Sequence, residues 1–158
     1  MREYQANNQA ATEKIATELA KELKGGEFLA LSGNLGAGKT VFVKALAKAL
    51  GVKENITSPT FVLMKVYDIS PLKSRQKTKA EGKFSKLDGG KVDKFVHIDC
   101  YRLSGQEDLF EIGLGDYLNY NNIIVAIEWA DKLVNLPATA IKIHMELLGE
   151  DKRKISIA

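Results

Sequence analysis

The sequence contains Gly33-Asn34-Leu35-Gly36-Ala37-Gly38-Lys39-Thr40, a stretch with the pattern G-x-x-x-x-G-K-[ST] of a phosphate-binding loop. The apolar residues 28–31 precede it and predict a short buried strand. Residues 41–50 follow it with apolar side chains at helical spacing, and Gly51 ends that run. A strand, a glycine-rich loop and a helix in this order are the context that a phosphate-binding loop requires.

Each residue type in this loop suits phosphate binding. Glycines let the backbone turn tightly, so that its N–H groups approach phosphate oxygens, and the helix that begins near Gly38 adds the positive end of its dipole. The Lys39 ammonium can reach the β- and γ-phosphates, and the Thr40 hydroxyl can bind Mg²⁺. The nucleotide-binding residues predicted in this stretch are Asn34, Leu35, Gly36, Ala37, Gly38, Lys39, Thr40 and Val41.

Length and composition favour one α/β domain that spans residues 1–158. The chain is 45% hydrophobic, which is ordinary for a globular protein with its own core. No apolar stretch approaches the ~20 residues that span a membrane, and the first residues lack a hydrophobic signal region. A single cysteine, Cys100, excludes an internal disulfide framework and a four-cysteine zinc site. These features predict a cytoplasmic protein.

The net charge of +3 is unevenly distributed along the chain. Residues 71–94 hold eight Lys/Arg against three Asp/Glu, whereas the other 134 residues hold fifteen against seventeen. Because residues 71–94 also lack helical or strand periodicity, they predict a flexible basic insertion at the surface. A general nucleic-acid-binding surface does not follow from this distribution.

Periodicity predicts the remaining elements. Residues 8–24 form an amphipathic helix capped by Asn8 and ended by Gly25-Gly26. Strands follow, the first of them mostly apolar and so covered on both faces, and residues 106–118 suggest one or two short helices. The last two strands are expected to form a hairpin. The predicted strands are residues 61–67, 94–99, 123–128, 140–147 and 154–157.

Two of these strands end on an acid, Asp99 and Glu128. Ligands of open α/β sheets bind outside the carboxyl ends of the strands, so a phosphate loop predicts a neighbouring acid that holds Mg²⁺ directly or through water. Each acid could instead cap a helix or form a turn, but we expect at least one to touch the metal. We interpret His97, on the same strand face as Asp99, as a structural residue. The candidate catalytic residues are Lys39, Asp99 and Glu128.

Several ordered blocks resemble the TsaE (YjeE) family, the ATPases of bacterial tRNA threonylcarbamoyladenosine biosynthesis. Besides the loop, these blocks are Thr57-Ser58-Pro59-Thr60-Phe61, His97-Ile98-Asp99-Cys100-Tyr101-Arg102 and Glu128-Trp129. Their spacing and order agree with the family from about residue 8 to the C-terminus. The resemblance departs at residues 71–94, because family members usually join these strands by a much shorter connection.

The resemblance implies a small P-loop fold with a central mixed sheet flanked by helices. It implies ATP hydrolysis, with Mg²⁺, that supports two partner proteins, TsaD and TsaB, in the modification of adenosine 37 in tRNA. Contact with tRNA would be indirect through this complex, although the insertion could touch tRNA or a partner directly.

The resemblance also assigns residues. Thr40 and Glu128 would bind Mg²⁺, and Asp99 would be a second essential acid near the γ-phosphate and the metal. Trp129 and the Ser58–Thr60 loop would flank the nucleotide. The adenine would lie near Gln9 and Thr12 at the start of the first helix, and the Arg153 region would approach it too.

Two other functions remain open from the sequence. The first is a non-catalytic switch, in which the bound nucleotide rather than turnover controls a partner. The second is a small-molecule kinase, although a kinase lid would be rich in arginine and this chain has only four arginines. For an ATPase, either Asp99 or Glu128 would position the attacking water.

Overall fold

The computed structural model describes residues 1–59, 62–69, 92–103, 113–117, 120–134 and 136–158. Within these ranges the chain forms seven strands and two α-helices, with 3₁₀ turns at Leu114–Asp116 and Ala130–Lys132. In chain order the elements are β1 (Arg2–Ala6), α1 (Gln9–Glu22), β2 (Phe28–Gly33), α2 (Lys39–Leu50), β3 (Met64–Asp68), β4 (Lys94–Asp99), β5 (Ile123–Glu128), β6 (Ile141–Leu147) and β7 (Arg153–Ile157).

All seven strands belong to one mixed sheet in the order β1-β7-β6-β2-β5-β4-β3. The four central strands, β6, β2, β5 and β4, are mutually parallel, and β1, β7 and β3 pair antiparallel at the two sides. Because parallel strands end at the same edge of a sheet, the last residues of β2, β4 and β5 lie together. The predicted α/β fold with a central mixed sheet is confirmed.

Alternating side chains of the central strands enter two apolar clusters, one on each face of the sheet. On one face Leu29 and Leu31 pack with α1 and α2, and on the other Phe28 and Ala30 pack with Leu114. Both faces of the parallel strands are therefore covered, which explains why β5 is buried along its whole length.

The first helix follows its predicted signals closely. The Asn8 side chain accepts a hydrogen bond from Ala11 N at 2.8 Å, which confirms the cap. The helix ends at Glu22, two residues before the predicted end, and Gly25 and Gly26 both have positive φ. α1 presents Leu19 to the core and packs against α2.

The sheet corrects two sequence-based expectations. No strand was predicted at β1, where only Ala6 is buried, because an edge strand with one exposed face carries little apolar pattern. β3 was expected to be covered on both faces, which is wrong, because it lies at the other edge and only Tyr67 is buried. The late hairpin is confirmed by the antiparallel pairing of β6 with β7.

Some predicted segments fall partly outside the described residues. They are residues 71–91 of the basic insertion, residues 106–112 and 118 of the short helices, and residues 60–61 before β3. Within the ranges that the structure describes, no helix is both long enough and apolar enough to cross a membrane.

Candidate functional site

The candidate site is a pocket of about 420 Å³ at the carboxyl ends of the parallel strands. The sheet register explains its position, since Asp99 of β4 lies opposite Glu128 of β5, and Glu128 lies opposite Leu31 of β2. Two residues after Leu31, the glycine-rich loop begins. The pocket is lined by Leu35, Gly36, Gly38, Lys39, Thr40, Val41, Ser58, Asp99, Tyr101, Glu128, Trp129 and Arg153.

Two glycines of the loop occupy places that a larger residue could not take. Gly33 has φ 130°, and a Cβ there would lie 2.1 Å from the carbonyl oxygen of Met145 on β6. Gly38 has φ 98° and directly precedes the first residue of α2. The loop can therefore turn from β2 into α2 beside β6 only because these positions lack a side chain.

Lys39 is the first residue of α2 and is only 4% exposed. Its Nζ donates to the carbonyl oxygens of Gly33 at 2.6 Å and Asn34 at 3.0 Å, and it lies 3.6 Å from the centroid of the Trp129 ring. Burial lowers the pKa of the Lys39 ammonium, and the nearby carboxylates of Glu128, Asp131 and Asp99 oppose this effect. Carbonyl and aromatic groups thus hold the ammonium in the pocket, and three carboxylates favour its charge from a greater distance.

Glu128 connects the loop to the sheet. Its Oε2 accepts a hydrogen bond from the Thr40 hydroxyl at 2.8 Å, and its Oε1 lies 2.8 Å from His97 Nε2. Both carboxylate oxygens therefore have a partner, although Glu128 is only 2% exposed. Since an unpaired buried carboxylate would be costly, these two contacts explain how the acid is tolerated at this depth.

Asp99 is also almost buried, at 4% exposure, but its contacts differ from those of Glu128. Its Oδ2 accepts from the Ser58 hydroxyl at 3.0 Å, and its Oδ1 accepts from Tyr101 N at 3.0 Å. Asp99 thereby connects the pocket to the loop that contains Ser58, whereas Glu128 connects it to α2.

Two aromatic side chains form the outer wall of the pocket. The rings of Tyr101 and Trp129 have centroids 5.0 Å apart, an edge-tilted contact typical of aromatic pairs. Trp129 has φ 61°, a left-handed conformation that is uncommon for a large residue. Such conformations are often found at functional sites, and here the ring of Trp129 lies against the Lys39 ammonium.

The other residues suggested by the sequence are divided between the pocket and a neighbouring groove. Gln9 lies in a groove of about 560 Å³ between α1 and α2, and Val41 lines both this groove and the pocket. Thr12 is fully buried and bonds to Asn8 O at 3.4 Å. Arg153 lies at the loop, with its Nε donating to Ala37 O at 3.1 Å, and it pairs with Ala6 of β1, three residues before Gln9.

Asn34 and Ala37 contribute to the loop without lining the pocket. The carbonyl oxygen of Asn34 accepts from both Ala37 N and Lys39 Nζ. Ala37 is fully buried, so its side chain packs in the core below the loop.

Sequence reasoning did not single out two residues of this site. Tyr101 appeared only within a matching block, and His97 was interpreted as a structural histidine, although it contacts Glu128. The alternation of strand residues was the available signal for His97, because it places His97 and Asp99 on the same face of β4. Its partner Glu128 on β5 could be identified only from the register of β4 with β5.

The oxygen donors of the pocket fit a magnesium ion. The Thr40 hydroxyl and a Glu128 carboxylate oxygen lie 2.8 Å apart, and Asp99 lies on the adjacent strand in the same pocket. Hydroxyl, carboxylate and phosphate oxygens are the ligands that Mg²⁺ prefers. Thr40 and Glu128 could therefore hold the ion together with the phosphates of a nucleotide.

Comparisons with known proteins agree with this geometry. A family model described as "Threonylcarbamoyl adenosine biosynthesis protein TsaE" matches residues 6–155. Two similar proteins are each named "tRNA threonylcarbamoyladenosine biosynthesis protein TsaE". The one from Aquifex aeolicus is 37% identical and covers 99% of this chain and 96% of its own. The one from Treponema pallidum is 34% identical and covers 93% of both. The crystal structure of Bacillus subtilis YdiB superposes with a TM-score of 0.63 at 26% identity, over 99% of this chain and 83% of YdiB.

Proposed function

The chain belongs to the TsaE family of threonylcarbamoyl adenosine biosynthesis proteins, and from that membership we propose that it hydrolyses ATP with Mg²⁺ in the biosynthesis of threonylcarbamoyladenosine in tRNA. The modified base is adenosine 37, and the partners are TsaD and TsaB. We also propose that residues 1–158 act as one domain, with residues 71–94 as a basic insertion outside the catalytic pocket.

One observation carries the ATPase proposal. A lysine, a hydroxyl and two carboxylates, each from a different position in the chain, line one pocket at the ends of the parallel strands. These four residues, Lys39, Thr40, Asp99 and Glu128, can supply the cation for the phosphates, the metal ligands and an acid that orients water. A glycine-rich turn used only for structure would need neither the two buried acids nor the buried lysine.

In this mechanism the loop binds and neutralises the phosphates. The Lys39 ammonium already lies in the pocket on the carbonyls of Gly33 and Asn34, and phosphate oxygens would replace those carbonyls as its acceptors. The backbone N–H groups at the start of α2 point along the helix axis and supply further donors. Thr40 and Glu128 would hold Mg²⁺, which would supply positive charge to the phosphates when bound.

Asp99 is the residue that we propose to orient the attacking water. Its Oδ2 is held by the Ser58 hydroxyl and its Oδ1 by the backbone of Tyr101, so the carboxylate has a fixed direction. Glu128 bonds instead to Thr40, the other proposed ligand of the ion, and to His97, which assigns it to the metal. A preorganised acceptor on the pocket wall would position water without reorganisation during the reaction.

The proposal that partner proteins control hydrolysis is supported by the exposed residues of the pocket. Leu35 and Tyr101 line the pocket and are 74% and 43% exposed, so part of the nucleotide site is also protein surface. A bound nucleotide can control a partner only if the partner distinguishes two conformations of that surface. We therefore propose slow hydrolysis by the isolated chain and stimulation by TsaD and TsaB.

The test is steady-state release of phosphate from ATP, with the full chain alone and with a TsaD–TsaB pair from the same organism. We expect slow release alone and clear stimulation by the pair, and release from Lys39→Ala that is lower by on the order of 10²–10³-fold under both conditions. Fast phosphate release by the chain alone that does not change when TsaD and TsaB are added would contradict the proposed role. Tight ATP binding without any turnover would identify a non-catalytic switch, and transfer of labelled phosphate to a metabolite would identify a kinase.

A further inference from the structure

The imidazole of His97 is completely buried behind the pocket and is bonded to one of its acids. His97 Nε2 lies 2.8 Å from Glu128 Oε1, and the two side chains are 0% and 3% exposed. The second carboxylate oxygen, Oε2, is 2.8 Å from the Thr40 hydroxyl. The imidazole, the carboxylate and the hydroxyl therefore form a continuous chain from the middle of the sheet to the first turn of α2.

The register of the sheet explains how the two side chains meet. His97 lies directly opposite Ala126, and Asp99 lies opposite Glu128, so His97 and Glu128 are diagonal neighbours on one face. The methyl side chain of Ala126 leaves room for the imidazole to extend across it. Neighbouring strands lie about 4.8 Å apart and each residue advances about 3.3 Å along its strand, so diagonal positions are about 8 Å apart, a separation that two long side chains can bridge.

The contact defines which ring nitrogen carries the proton. Glu128 Oε1 is an acceptor, so Nε2 must be the N–H donor. Nδ1 is buried without a hydrogen-bond partner among the residues that the structure describes. A buried N–H without a partner is more costly than a bare ring nitrogen, which also favours the proton on Nε2.

From this geometry we propose that His97 is a positioning residue for the metal site. It fixes Oε1 of Glu128, so that Oε2 is presented toward Thr40, where the two oxygens would hold Mg²⁺. The inference rests on the proposed function, because it assigns His97 a role toward the ion that Thr40 and Glu128 bind. Hydrogen-bond partners of metal-ligating carboxylates commonly change metal affinity or activity by about 10–100-fold when removed.

Two substitutions of His97, by Gln and by Asn, have similar polarity but place their N–H donor differently. They therefore test whether the donor at the position of Nε2 matters, or only the presence of a polar side chain. The amide nitrogen of Gln extends about as far as Nε2 of histidine, whereas that of Asn is one carbon shorter and corresponds to Nδ1. The measurement is the Mg²⁺ concentration that gives half-maximal binding of a fluorescent, non-hydrolysable ATP analogue to the full chain. We expect His97→Asn to raise this concentration by about 10–100-fold and His97→Gln to stay close to the parent.

The other histidine provides a matched control. His144 on β6 is exposed, and its Nδ1 lies 2.9 Å from the Ser32 hydroxyl instead of a carboxylate. His144→Gln should leave the Mg²⁺ requirement unchanged. In a Glu128→Gln background, His97→Asn should add little, since both changes remove the same contact.

The outcomes separate this inference from the proposed function. A parent whose analogue binding ignores Mg²⁺ would overturn the proposed metal site and the inference with it. A normal parent together with an unaffected His97→Asn, or with His97→Gln and His97→Asn equally impaired, would overturn the inference alone. If neither variant folds, nitrogen NMR of the parent in EDTA decides: a proton on Nε2 supports the positioning role, and a proton on Nδ1 overturns it.

Discussion

The two halves of the sheet use polar residues in different ways. In the parallel half, formed by β2, β5 and β4, buried polar side chains bond to one another at the strand ends, as in the contacts of Glu128 with Thr40 and His97. In the other half, which we call the antiparallel half because β7 pairs antiparallel with both β6 and β1, the ion pairs are exposed, as between Lys154 and Glu3. Exposed pairs contribute little to stability, whereas buried networks are costly unless complete.

Strand direction is the physical reason for this difference. Parallel strands bring their carboxyl ends to one edge, so acids that are distant in sequence become neighbours. Antiparallel strands have their carboxyl ends at alternate edges of the sheet, so they do not bring acids at their ends together. The antiparallel half still supports the loop, because Gly33 packs on the Met145 carbonyl and Arg153 bonds to Ala37 O.

The largest expected effect comes from removing the lysine in the parallel half. Lys39→Ala should weaken ATP binding or turnover by on the order of 10²–10³-fold, because the variant loses a charged donor aimed at the phosphates. The fold should persist, since burial already makes the charged lysine unfavourable. Isothermal titration and circular dichroism measure both properties, and parent-like binding by this variant would remove the phosphate-loop interpretation.

A core substitution in the antiparallel half should give the opposite result. Ile157 on β7 is 4% exposed and pairs with Ile143 at the end of β7 remote from Arg153. Ile157→Ala should lower the free energy of unfolding by about 2–4 kcal/mol, from lost apolar burial and the resulting cavity. Nucleotide affinity of the folded protein should stay at the parent value in a direct titration. A selective loss of affinity without destabilisation would show that the two halves are not separable.

The two acids of the parallel half should differ from each other. Glu128→Gln should raise the Mg²⁺ requirement by about 10–100-fold, because it weakens a ligand of the ion. Asp99→Asn should lower turnover while nucleotide affinity is retained, because it affects the orientation of water. Analogue binding and phosphate release measured across Mg²⁺ concentrations test both. An unchanged metal requirement for the first, or unchanged turnover for the second, would remove that role.

The smallest effect is on the pH dependence of stability. Burial lowers the pKa of Lys39 in the folded chain, so its charge costs stability below that pKa and the cost is relieved as the pH rises through it. Between the lowered pKa of the folded chain and the ordinary lysine pKa, the unfolded chain still holds a proton on this lysine that the folded chain has lost. The free energy of unfolding of the parent should therefore rise with alkaline pH relative to Lys39→Met. Urea denaturation at neutral and alkaline pH tests the sign, and a difference that falls with pH contradicts it.

Much of the parallel half could be predicted from the sequence because its signals are local. The loop follows a spacing pattern, and the strand before Glu128 is a continuous apolar run, as a strand covered on both faces requires. The strand before Asp99 is apolar except for Lys94 and His97. The fact that both acids end their strands was enough to place them at one edge.

The edge positions of β1 and β3 and the contact of His97 could not be predicted, because they depend on the pairing of strands that are distant in sequence. β1 shows little apolar pattern as an exposed edge strand, and β3 looked buried although it pairs on only one side. The contact of His97 with Glu128 requires the β4–β5 register and a small residue at Ala126, which local periodicity does not encode. Sequence patterns thus located the two acids, and only the register identified the contact between Glu128 and His97.

The central claim is that the carboxyl edge of the parallel strands is a site for ATP and Mg²⁺. Titration of a non-hydrolysable ATP analogue into the full chain, with Mg²⁺ and then with EDTA, tests it most directly. We predict binding that weakens in EDTA, that is nearly lost in Lys39→Ala and that is retained in folded Ile157→Ala. Binding that is indifferent to both Mg²⁺ and Lys39, or no binding at all, would contradict the claim.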